Sequence, residues 1–149
     1  MRAGVQRVRG AVVEVEGACV GRIGGGLLVY LGIQPDDGGE DVAYIAEKVR
    51  HLRVFSDAEG MMNEDVVQAG GSVLVVSAFT TMADARHGRR PSFAAAARGA
   101  TAEPMYERVC AVLLESGVTV EKGRFGAMMK VTSDNDGPVC VLLDSRRGF

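Results

Sequence analysis

The chain has few means of tying itself together covalently or through zinc. Its three cysteines, Cys19, Cys110 and Cys140, are odd in number, widely spaced and without a CxxC pair. Neither a disulfide framework nor a zinc site is indicated. No apolar run approaches the roughly 20 residues that a membrane span requires, so no membrane partner is expected. Met1-Arg2 leads straight into a strand-like pattern instead of a signal peptide, and a cytoplasmic setting is the expectation. An excess of positive charge is also missing: 17 Lys and Arg stand against 19 Asp and Glu, for a net charge of −2. There is no global basic field for long duplex DNA, and DNA is not an expected partner. Any nucleic-acid contact must be a local patch, and Arg86, Arg89 and Arg90 are the densest candidate.

What is present suits one globular domain spanning residues 1–149, with 47% hydrophobic and 24% charged residues. A chain of this size buries roughly 68–70% of its unfolded surface. Its 20 glycines imply many tight turns and favour a sheet-rich fold.

The central stretch is Ser72 to Phe93, SVLVVSAFTTMADARHGRRPSF. Val73 to Val76 form a short apolar run behind a Gly70-Gly71 break, which predicts a strand buried on both faces. Ser77, Thr80 and Thr81 then bring three hydroxyls to the strand end, and a basic loop follows. A rigid strand end supplies backbone donors, and arginines attract phosphate, so the pattern suits an anionic substrate. A Ser77, Asp84 and His87 triad is not supported, because no GxSxG elbow exists and all three share one loop. Cys140 sits in an apolar strand with no positive neighbour to activate it.

Elsewhere, residues 2–9 and 11–15 alternate as strands, Glu16-Gly17 turns, and Ala18–Ile23 returns as a hairpin. Gly24-Gly25-Gly26 is a turn and not a phosphate cradle, since a strand and not a helix follows. Helices are predicted over Gly38–Arg53, from the spacing of Val42, Ile45, Ala46, Val49 and Leu52, and over Thr101–Ser116, with Thr101 as cap. Val54-Phe55 starts a short strand and 56–63 is a loop. Gly117–Glu121 leads into another loop, GRFGA. Strands are predicted at Met128–Ser133 and Val139–Leu143, separated by an Asp134–Pro138 turn that lacks the spacing of a calcium loop. The expected fold is α+β: mixed, mostly antiparallel sheet with a barrel-like core and two covering helices.

The segments MRAGVQRV, GGGLLVYLGI, KVRHLRVF, VLVVSAFT, GRRPSF, GRFGAMMKV and NDGPV, taken in order over nearly the whole chain, resemble the D-aminoacyl-tRNA deacylase family of the bacterial and eukaryotic type. Its two signature motifs read here Ser77-Ala78-Phe79-Thr80-Thr81 and Asn135-Asp136-Gly137-Pro138-Val139-Cys140. Ala78 stands where the family has Gln, Thr81 where it has Leu, and Cys140 where it has Thr. The resemblance implies a homodimeric, cofactor-free esterase acting on the acceptor end of D-aminoacyl-tRNA and on glycyl-tRNA.

It further implies a cis Gly137-Pro138 peptide that enters the partner subunit's site and rejects L-aminoacyl groups sterically. Gln6 and Arg7 correspond to residues beside that loop, Met129 to a pocket-lining position, and Asn135 to the motif's opening residue. Ser77, Phe79 and Thr80 would carry catalysis through backbone donors, with Thr80 orienting and not attacking. Arg86, Arg89 and Arg90 would meet acceptor-stem phosphates. The Ala78 departure predicts a slower enzyme with its stereochemical preference intact. It also motivates the alternative of an altered homologue that binds aminoacylated tRNA ends with little hydrolysis. An unrelated small-ester hydrolase is the third reading, and the chain offers it no nucleophile elbow.

Overall fold

The computed structural model describes residues 1–149. Eight strands, two α-helices and one 3-10 turn follow in the order β1 (Arg2–Val15), β2 (Ala18–Ile23), β3 (Gly26–Gly32), α1 (Gly39–His51), β4 (Phe55–Ser56), β5 (Met62–Glu64), β6 (Ser72–Ser77), the 3-10 turn (Phe79–Met82), α2 (Gly99–Glu115), β7 (Thr119–Lys122) and β8 (Lys130–Asp144). β1 pairs antiparallel with β2, β3 and β8, while β3–β6 and β6–β7 are parallel. The sheet is therefore mixed, and mainly antiparallel around β1. It curls until β7 lies against β2. A Cβ on Gly21 would stand 2.4 Å from the Lys122 carbonyl oxygen, so this near-closure of the barrel needs glycine there.

Alternation along the strands divides the core in two. Ala3 and Val5 of β1, Leu27, Val29 and Leu31 of β3, and Val73 and Val75 of β6 face the helices. They pack with Val42, Ile45, Ala46 and Val49 of α1 and Tyr106, Val109 and Leu113 of α2. Leu28, Leu74, Val76, Val8, Ala11 and Val13 fill the inside of the curl. A strand between two apolar layers reads as an unbroken hydrophobic run, and β3 and β6 do. The expected fold class stands.

Local expectations change in several places. Residues 2–15 form one strand and not two. Gly10 does not interrupt it, and the irregularity appears instead as register shifts against β8 between Gln6 and Gly10. The Asp134–Pro138 turn is likewise a bulge inside one long strand, because β8 stays hydrogen-bonded to β1 on both sides of it. Met128 and Met129 precede that strand. Thr119–Lys122 is a strand, having found a parallel partner in β6. Met62–Glu64 pairs with Phe55–Ser56, and so is not a plain loop. α2 begins before Thr101: its N-cap is Arg98, and Thr101 lies inside the first turn.

Candidate active site

β6 ends where its buried core does. Val76 is buried, Ser77 and Ala78 are half-buried, and Phe79 and Thr80 are exposed. Beyond Ser77 the chain tightens into the 3-10 turn. Its hydrogen bonds start with the Thr81 N–H donating to the Ala78 carbonyl at 3.1 Å and the Ala83 N–H donating to the Thr80 carbonyl at 3.1 Å. The first N–H groups of a helical turn precede its own acceptors, so those of Phe79 and Thr80 have no acceptor within the turn.

This strand end forms the floor of a cleft of about 650 Å³. Ser77, Ala78, Phe79, Thr80 and Met129 all line it, together with Tyr30, Gly32, Phe93, Phe125 and Met128. At the rim Phe79 and Phe93 form an edge-to-face pair, with centroids 5.1 Å apart and planes at 83°. Both rings remain accessible, and Phe79 is 59% exposed. Behind β6, the Tyr106 hydroxyl donates to the Val75 carbonyl at 2.8 Å. That carbonyl also accepts from the Gly123 N–H at 2.9 Å, which anchors the 123–129 segment to β6. Burial pushes the Tyr106 phenol far above its ordinary value, so it stays protonated as a donor.

The residues of the second motif lie elsewhere. Gln6, Arg7, Asn135, Gly137 and Pro138 are absent from the cleft lining and cluster where β8 bulges away from β1. The Gly137-Pro138 peptide is cis, and both residues are exposed. Asn135 holds the bulge from inside: its amide donates to the Val139 carbonyl at 3.1 Å, and its Oδ1 accepts from the Val139 N–H at 2.8 Å. Arg7 Nε donates to the Asp136 carbonyl at 2.9 Å, and the same guanidinium also donates to the Val54 carbonyl. Arg9 and Asp136 add an ion pair at 3.1 Å. Gly137 has φ +142, and an added Cβ would meet Val139 Cγ2 at 2.8 Å, Val139 N at 3.0 Å and Arg7 Nη2 at 3.1 Å. Only glycine fits there. The chain thus carries a cleft and a separately built, exposed Gly-Pro bulge.

The basic loop is less uniform than its sequence. The Arg86 guanidinium is engaged by Asp84, with Nη2 at 2.6 Å from Oδ2 and Nε at 2.9 Å from Oδ1. That bond holds the Asp84 carboxyl well below its usual range. Asp84 is thereby committed to Arg86 and does not orient His87. Arg89 and Arg90 are exposed on the same loop. Burial pushes the Cys110 thiol up to about 11, leaving it inert.

Tyr30, Gly32, Phe93, Phe125 and Met128 were not singled out from the sequence. Phe93 and Phe125 lie inside quoted motifs, GRRPSF and GRFGA, whose aromatic residues were the available signal.

A D-aminoacyl-tRNA deacylase of Anaeromyxobacter dehalogenans (strain 2CP-C) is 54% identical over 149 residues, covering 100% of both chains. One of Thermus aquaticus is 52% identical over 145 residues, covering 97% of this chain and 95% of its own. A solved structure described as c-Myc DNA Unwinding Element Binding Protein superposes with a TM-score of 0.92 at 35% identity, covering 97% of this chain and 98% of that one. A probable eukaryotic D-amino acid tRNA deacylase shares the fold, with a TM-score of 0.77 at 17% identity, covering 95% of this chain and 97% of that one. The family described as D-Tyr-tRNA(Tyr) deacylase matches residues 4–144, and the chain belongs to it.

Proposed function

We propose that this chain hydrolyses the ester joining a D-amino acid to the terminal adenosine of tRNA, releasing free amino acid and tRNA. The observation that carries this reading is the cleft at the end of β6. Its floor offers the N–H groups of Phe79 and Thr80, which find no acceptor within the 3-10 turn, and its rim is the Phe79–Phe93 pair. An aminoacyl ester is already activated, so backbone donors suffice where no nucleophile elbow exists. Water adds to the ester carbonyl, and the Phe79 and Thr80 N–H groups receive the oxyanion. Collapse expels the ribose oxygen, which takes up the proton lost by the water. Removing one oxyanion donor typically costs about 10²–10³ in rate in other enzymes. Ser77 and Thr80 lie beside these donors and orient the substrate; Thr80 carries no acyl group. The exposed aromatic rim suits stacking with adenine.

The Gly137-Pro138 bulge is assigned the stereochemical choice, acting on the cleft of a partner subunit. It faces outward and is missing from its own subunit's cleft, so it needs a second copy to meet one. Carbonyls of the bulge would hold the α-amino group where an L side chain has no room, while D-aminoacyl and glycyl groups fit. Gln6, Arg7 and Asn135 support this element from behind. Arg89 and Arg90 are assigned to acceptor-stem phosphates; Arg86, already engaged by Asp84, contributes less. Cytoplasmic work on charged tRNA follows from the same reading.

The deciding experiment is hydrolysis of paired D- and L-tyrosyl-tRNA, with glycyl-tRNA alongside, at protein concentrations where light scattering reports the oligomeric state. Cleavage of the D- and glycyl substrates by a dimer, with the L-substrate spared, is the expected result. Equal D and L rates would remove the stereochemical assignment, and an active monomer would remove the cross-subunit one. Binding of charged tRNA without turnover would favour the altered-homologue reading, which Ala78 motivates.

A further inference from the structure

The turn that carries the two backbone donors is held by a side chain for which the family pattern has no equivalent. The Thr81 hydroxyl donates to the Ala78 carbonyl at 3.0 Å, and the Thr81 N–H donates to the same oxygen at 3.1 Å. The other end of residue 78 is also held, since its N–H donates to the Leu31 carbonyl at 2.8 Å. Beneath the turn lies Gly32, where a Cβ would stand 2.0 Å from Thr81 Oγ1 and 2.9 Å from the Ala78 oxygen. The hydroxyl therefore occupies the space that a side chain at residue 32 would need.

The consequence lies in the geometry of one peptide unit. The Ala78 carbonyl and the Phe79 N–H belong to the same planar group. That peptide is trans, because the Gly137-Pro138 bond is the chain's cis peptide. In a trans unit the C=O and N–H point in opposite directions and cannot turn independently. Fixing the Ala78 oxygen against Thr81 and Gly32 therefore fixes the direction of the Phe79 N–H. Thr81 itself does not line the cleft.

We propose that Thr81 is a positioning residue of this deacylase: its hydroxyl clamps the Ala78 carbonyl and so aims the Phe79 N–H into the cleft. The clamp takes over the orientation of a turn whose neighbouring position holds Ala78, a side chain with no hydrogen-bonding group of its own. The proposal rests on the functional reading above. It also changes the expectation attached to Ala78. The donor geometry is maintained from residue 81, so a methyl at 78 does not by itself slow the enzyme.

The test compares Thr81→Val, which keeps shape and removes the hydroxyl, with Thr81→Ser, which keeps the hydroxyl. Each variant is followed by kcat and KM on D-tyrosyl-tRNA, by thermal melting, and by amide hydrogen exchange at residue 81. Losing one hydrogen bond of this kind corresponds to about a two- to tenfold effect. Thr81→Val is expected to lower kcat by about that factor, to leave KM within about twofold, and to speed exchange of the Thr81 amide, which donates to the clamped Ala78 carbonyl, while Thr81→Ser recovers most of kcat. Unchanged kcat and exchange in Thr81→Val overturn the clamp. Equal losses in both variants, or a change confined to KM, also overturn it. If the unmodified protein cleaves no D-aminoacyl-tRNA, the functional reading fails separately, and exchange of the backbone amide at residue 81 in the two variants still decides whether the clamp exists.

Discussion

Gly137→Ala is the most demanding test of the Gly-Pro bulge, because its effect can be built up from contacts. The glycine sits at φ +142, and an alanine Cβ would lie 2.8 Å from Val139 Cγ2 and 3.0 Å from Val139 N. Val139 is only 8% exposed, so its side chain has little room to swing away. The chain must relieve both the dihedral and the contact by moving the bulge. A non-glycine residue held in such a region costs about 1–3 kcal/mol. Movement also loosens the Asn135–Val139 pair and the Arg7–Asp136 contact, each hydrogen bond contributing about 0.5–1.5 kcal/mol. With loosening equivalent to one such bond, the expected loss of stability is about 1.5–4.5 kcal/mol, smaller than the total of a typical domain, so the protein stays folded. At about 2–4 °C per kcal/mol, the melting temperature falls by roughly 3–18 °C. The ratio of D- to L-tyrosyl-tRNA hydrolysis is expected to fall at least about tenfold, equivalent to about 1.4 kcal/mol of discrimination. Differential scanning calorimetry and paired deacylation assays measure the two quantities. A variant with the melting temperature and the D:L ratio of the unmodified protein would refute both the packing argument and the role assigned to the bulge.

Asn135→Ala removes both hydrogen bonds to Val139. It is expected to lower stability by about 1–2 kcal/mol and to speed amide exchange of Val139, read by hydrogen–deuterium exchange. Phe79→Ala removes a ring that is 59% exposed, so it should leave melting almost unchanged. It should also raise KM for D-tyrosyl-tRNA about tenfold, because stacking on a base contributes about 1–3 kcal/mol; steady-state kinetics decides. Acid should weaken the fold through Asp41 and Asp65. Burial pushes each carboxyl up, but hydrogen bonds outweigh it, to Asp41 from Ser145 and the Gly38 N–H, and to Asp65 from the Gln68 N–H and Arg50. Their folded pKa values are therefore lowered, so the stabilisation is complete above the unfolded value of about 3.9 and is lost as pH falls through the folded values. Urea midpoints measured from pH 6 down to pH 3 should decline most steeply below pH 4 and flatten there in Asp41→Asn and Asp65→Asn.

What the sequence determined by itself was local. The apolar runs Leu27–Leu31 and Val73–Val76 announce strands buried on two faces, and the spacing of Val42, Ile45, Ala46 and Val49 announces a helix. These signals survive because each depends on neighbours in the chain and on burial, which composition encodes. The strand-end hydroxyls after Val76 marked the cleft for the same reason. Tertiary structure decided whatever depends on a distant partner. Thr119–Lys122 became a strand because β6 offered it an edge. Asp134–Pro138 stayed in a strand because β1, more than a hundred residues earlier in the chain, holds it on both sides. Thr81 carried a hydroxyl with no stated partner until Gly32, nearly fifty positions upstream, left room for it against the Ala78 carbonyl. The two motifs, Ser77–Thr81 and Asn135–Cys140, could be read along the chain, but only the fold placed one in a cleft and turned the other outward. Hydrogen bonds and close contacts between remote segments are set by register and curvature, and no single stretch of residues contains either.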